Sequence, residues 1–183
     1  MTIRTVYGII TALLVTLLSA CGGSPTIESD MNIKGAPDWV NEGTQAVDNP
    51  DGRYLYGVGV APPMNDESLQ RSTADSRARA ELAKIVSTYV DSTLSDYAAA
   101  SGDSATSSIE QSLKSSTQTV LNGARIKGRW RDPRTGSVYS FAEMDMKALD
   151  DAIANAGKLS DNFRQYYQNN ATANFSRFVK SSK

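Results

Sequence analysis

The chain has 183 residues, with 19 basic and 20 acidic side chains, one cysteine and no histidine. A net charge of −1 forces no polyanion-binding role, and a lone cysteine excludes an intramolecular disulfide. The missing histidine removes the commonest metal ligand and the usual general base near neutral pH, which weighs against an enzyme.

Residues 1–20 read as a signal peptide. Arg4 supplies the positive charge, and Val6 to Leu18 is mainly apolar but shorter than the roughly 20 residues that span a bilayer. Leu18, Ser19 and Ala20 then lead to Cys21, a match to the lipobox of bacterial lipoprotein precursors. The chemistry needs a thiol at the cut site and small residues before it. The resemblance implies a diacylglyceryl thioether on Cys21, cleavage after Ala20 and acylation of the new amino terminus. The alternative is an ordinary signal peptide followed by an incidental cysteine. No cofactor is expected beyond this covalent lipid. Residue 22 is Gly and not Asp, which by resemblance to enteric sorting rules favours the outer membrane. Residues 21–36 are expected to form the lipidated terminus and a flexible tether.

An α/β domain is expected over 37–157. Trp39 reads as a plug at the edge of its core, and Asp48-Asn49-Pro50-Asp51-Gly52 as a turn. Arg53 to Ala61 is rich in β-branched and aromatic residues and reads as a strand. Gly57 and Gly59 share one of its faces, where another element can approach closely. A nucleotide-binding loop would need Gly at position 62, where the chain has Pro62.

An amphipathic helix follows from about Asp66 to Ala100. Ala74, Ala78, Leu82, Ile85, Val86, Tyr89, Val90, Leu94 and Tyr97 mark its inner face, and Asp75 falls among the outer positions. At about 50 Å this helix must overhang a strand of about 30 Å, or break. Ser101-Gly102-Asp103 is the expected break, and Ser104 to Gly123 shows a weaker helical pattern. Arg125 to Arg131 alternates as a half-buried strand, with Arg125, Lys127, Arg129 and Arg131 on one face. Ser137 to Asp145 returns as its hairpin partner, with Trp130 opposite Tyr139, Gly128 opposite Phe141 and the aromatic face beneath the long helix. Asp145 is expected to cap a helix from Met146 to Ala156 that Gly157 ends. Residues 158–183 are expected to form a helical or partly disordered tail, packed on the domain or presented to a partner.

Pro37-Asp38-Trp39, Tyr56-Gly57-Val58-Gly59, the run from Ala74 to Ala83, Trp130 and Tyr139 to Asp145 together resemble the LPP-twenty-type outer-membrane lipoproteins, a family that includes the flagellar lipoprotein FlgP. The resemblance covers roughly residues 37–150. It implies an α+β fold with a three-stranded antiparallel sheet packed around a long helix, dodecin-like or SHS2-like, with additional C-terminal helices. It also implies a lipid-anchored, periplasm-facing outer-membrane protein without catalytic activity.

Glu143 and Asp145 share a strand face, and Asp150-Asp151 are adjacent. Surface salt bridges are the expected role for these carboxylates, not a catalytic pair. No catalytic residue and no metal site is expected. The stripe Arg125, Lys127, Arg129 and Arg131 reads either as a solvated face balanced by nearby carboxylates or as a surface facing an anion or partner. The expected partners are the membrane, through the lipid, and another protein or a second copy joined at a sheet edge. Nucleic acid and small-molecule substrates are not expected. A flagellar motor role, by family analogy, and a cell-wall or wall-synthase role, from the basic stripe, are the alternatives.

Overall fold

The computed structural model describes residues 31–46, 52–102, 107–121 and 123–181. The leader, Cys21, the turn expected at 48–51 and Asp103 lie outside the described residues. In chain order come α1 (Asp38–Asn41), a 3-10 turn (Gly43–Ala46), β1 (Tyr54–Ala61), α2 (Glu67–Ser101), α3 (Ser107–Leu121), β2 (Arg125–Arg131), β3 (Val138–Asp145), α4 (Met146–Ala154) and α5 (Asp161–Ser181). The fold is α+β: an antiparallel sheet in the order β1-β3-β2, one long helix, and further helices toward the C-terminus.

Local chemistry sets the ends of α2. The Asp66 carboxylate accepts from Leu69 N at 2.9 Å, and Glu67 adds negative charge to the first turn, where the helix dipole favours it. Gly102 ends the helix at φ +71°, a left-handed conformation that suits glycine, and its N–H donates to Ala98 O. The shorter α4 starts at the Asp145 cap as expected but stops at Ala154, before Gly157. Asn155 is the reason: its backbone N–H and its side-chain amide both donate to Asp151 O and so close the last turn.

Gly57 and Gly59 bring α2 down onto β1. A methyl group on Gly57 would lie 2.6 Å from Leu82 N, and one on Gly59 would lie 2.7 Å from Ala74 O. Ala74 and Ala78 complete the close contact from the helix side, and both are fully buried. Gln70, one turn earlier and also buried, donates its amide to Pro62 O and Gly136 O at 2.9 Å each. It thereby joins the end of β1 to the hairpin turn.

The helix overhangs the sheet and runs unbroken to Ser101, ending at Gly102 where the break is expected. Its 35 residues reach about 52 Å, while β1 with eight covers about 27 Å. The overhanging half carries Tyr89, Val90, Leu94 and Tyr97, and α3 and α5 pack against α2 to cover it. From α3 come Ile109 and Leu113, and from α5 come Phe163, Tyr167 and Phe175, all within one continuous core. Tyr97 meets Phe163 and Tyr166 edge-on at 5.2 and 5.3 Å, and Tyr89 meets Phe178 in the same way at 5.4 Å. The boundary expected at 157 therefore does not divide the core. Residues 161–181 are a helix packed on the domain, the first of the two arrangements expected of them, and its aromatic side chains recur at helical spacing.

The hairpin pairs in the expected register, Trp130 with Tyr139 and Gly128 with Phe141. Its orientation is the reverse of the expected one. Gly57 and Gly59 sit opposite Ala142 and Ser140, so β3 turns its small residues, not its aromatic ones, toward α2. The aromatic residues lie on the other face of the sheet. There Phe141 stacks between Tyr56 at 5.1 Å and Trp39 at 5.3 Å, while Trp130 packs on Tyr139. Trp39 thus plugs the sheet's outer face. Ile33, within the expected tether, is held to Asn41 by two hydrogen bonds, so the domain begins before residue 37.

Candidate functional site

The four cations expected on one face of β2 do not share it. A bulge falls between Ile126 and Gly128, where Lys127 is the extra residue and the alternation changes parity. Arg129 and Arg131, opposite Ser140 and Val138, face α2. Arg125, opposite Glu143, lies on the aromatic face, and Lys127 reaches Glu143 at 3.3 Å. Ile126, opposite Ala142, turns inward and packs on the core. Period-two reading misses the bulge because no residue in RIKGRWR announces it.

Across from β2, Glu67, Arg71, Asp75 and Arg79 follow one another at four-residue spacing along α2. Glu67 accepts from Arg131 at 3.1 Å and from Arg71 at 3.2 Å. Asp75 accepts a two-pronged bond from Arg129, Nε to Oδ1 at 2.7 Å and Nη2 to Oδ2 at 2.6 Å. The buried Ser140 hydroxyl adds a third bond to Oδ1 at 2.7 Å. The sequence places Asp75 among the solvent-facing positions of the helix, yet it is only 9% exposed. Burial is sustained because three charge-assisted donors replace its water.

The Arg129 hydrogen bonds, helped by Ser140, hold the Asp75 carboxyl below its ordinary value of 3.8, although burial opposes them. The same pair raises Arg129. Asp75 therefore contributes stability that is fully present above pH 3.8 and is lost as pH falls through the lower folded value. Asp75→Asn is expected to cost about 2 kcal/mol at neutral pH, the worth of hydrogen bonds to a charged group. Urea unfolding across a pH series checks this: the gap between parent and variant should narrow only below pH 3.8. A gap that is constant down through the acid range would remove Asp75 as its source.

The adjacent carboxylates Asp150 and Asp151 also find partners. Asp150 pairs with Arg53 and accepts from the Tyr167 hydroxyl at 2.9 Å, which ties the start of β1 to α4 and α5. The Arg53 guanidinium also lies 5.9 Å from the Phe175 ring centre. Burial raises the Tyr167 hydroxyl well above its ordinary range. Asp151 takes Lys147 one turn before it on α4, at 2.6 Å. The Arg53–Asp150 pair spans 97 residues of chain, and no local pattern could have matched it, whereas Lys147 and Asp151 stand at the four-residue spacing of a helix pair.

Among the described residues no three His, Cys, Asp or Glu side chains come together as a metal would need, and no helix is long and apolar enough to cross a membrane. The lipobox residues Leu18, Ser19, Ala20 and Cys21 lie outside the described residues. No protein-family model and no curated protein matches the chain.

Proposed function

We propose that the chain is an outer-membrane lipoprotein with a structural or interaction role in the cell envelope and without catalytic activity. The observation that carries this reading is the chain's sole cysteine, placed directly after Leu18-Ser19-Ala20 at the end of an apolar leader. The described residues begin only ten residues later, at Met31. The domain supports a scaffold role: the carboxylates Asp75, Glu143 and Asp150 are each engaged by a cation, and the buried Asp132 accepts from Arg134 N and the Thr135 hydroxyl in its own turn. The order strand, long helix, further helix, strand, strand, with the last strand central, supports a dodecin-like or SHS2-like arrangement and membership of the LPP-twenty-type family.

Mass spectrometry of the protein purified from cells tests the anchor. The expected product starts at Cys21 and carries a diacylglyceryl group and an amide-linked acyl chain. Cys21→Ser is expected to abolish attachment to the outer-membrane fraction, since several acyl chains at about 0.8 kcal/mol per buried methylene make the anchor effectively permanent. An intact leader, or a free thiol in membrane-associated protein, would sink the reading.

A further inference from the structure

We infer that the groove between α2 and β2 is a docking surface for anionic phospholipid headgroups, the surface by which the domain lies down on the bilayer that holds its anchor. Arg71 and Arg79 form the helix wall, and Arg129 and Arg131 form the strand wall. These four guanidiniums stand against the two carboxylates Glu67 and Asp75, a net +2.

The pairing inside the groove leaves charge to spare. Glu67 serves two guanidiniums, and the two-pronged bond of Arg129 uses up Asp75. Arg79 donates only to the carbonyl of Ala124, at 3.5 Å. The cationic side chains stay accessible to water: those of Arg71, Arg129 and Arg131 are 59, 46 and 43% exposed. A polypeptide strand added to the β2 edge fits this surface less well, because the bulge at Lys127 interrupts the ladder such a strand would follow.

The inference rests on the lipid-anchor reading. Ten residues from Cys21 to Met31 reach at most about 35 Å, so an anchored domain stays close to the headgroups. Each guanidinium at an anionic surface increases binding about five-fold, and the attraction fades beyond about 10 Å at moderate salt.

The test is sedimentation of the full chain carrying Cys21→Ser with vesicles of phosphatidylcholine alone or with roughly a quarter phosphatidylglycerol. The substitution removes any acyl contribution, and the ratio between the two vesicles cancels apolar binding by the leader. A preference for the anionic vesicles of at least about 25-fold is expected at low salt, lost at about 0.5 M. The double variant Arg71→Ala, Arg79→Ala should lower it about 25-fold, while Arg71→Lys, Arg79→Lys and the remote Lys180→Ala should keep it. If the double alanine variant fails to fold, the salt titration of the parent decides. Equal partition to both vesicles, a preference untouched by the double alanine change, or binding to purified peptidoglycan alone would overturn the proposal. Because acylation is absent throughout, failure here leaves the anchor to its own mass-spectrometric test.

Discussion

Gly59→Ala is expected to destabilise the domain by at least about 3 kcal/mol, at the upper end of what overpacking costs. The added methyl would lie 2.6 Å from Arg77 C and 2.7 Å from Ala74 O. Both are backbone atoms in the middle of a 35-residue helix, so no side-chain rotation can relieve the clash. Relief requires lifting α2 from β1, which would pull Ala74 and Ala78 from their contacts and weaken the Asp75–Arg129 pair at the same level of the helix. Gly57→Ala should behave alike. Gly128→Ala is the control, since nothing lies within 4 Å of the position its methyl would take. Urea denaturation of the three variants measures this. A loss below about 1 kcal/mol for Gly59→Ala would mean that helix and sheet are less tightly apposed than described.

Phe163→Ala should cost about 4 kcal/mol, the usual loss for a buried aromatic side chain. Phe163 is fully buried on α5, packs edge-on against Tyr97 and lies beside Tyr167. Its loss opens a cavity between α2 and α5 that fixed backbone can only partly close. Domains of this size are stable by about 5–15 kcal/mol, so the variant should melt far below the parent and in one transition. Asn162→Ala, at an exposed neighbouring position, should have little effect. If Phe163→Ala left the main transition in place and removed only a small separate one, α5 would be an appendage and not part of the core.

Much of this fold was legible because its long elements carry strong periodicity. The nine apolar positions of α2, the Asp66 and Asp145 caps and the pairing across the hairpin all follow from residue spacing. The reading failed where the decisive partner is remote. The glycine pair correctly marks the face of β1 that α2 approaches, but only the β1–β3 register carries that information across the sheet. Gly57 opposite Ala142 forces the aromatic side of the hairpin away from the helix. Asp75 looked solvent-facing for the same reason, since both its donors, Arg129 and Ser140, lie more than 50 residues on. In the basic strand, strict alternation held only up to the bulge. The candidate site was thus visible as a composition, four cations in seven residues, while its geometry depended on one extra residue that changes which way they point.

That extra residue also limits how copies of the domain can grow into larger arrays. A kinked, arginine-lined border offers no unbroken run of amides and carbonyls for a sister strand to zip along. At this border, growth into a ring or a lattice would have to proceed through contacts between side chains, and strand-to-strand growth is left to β1, the sheet's other edge.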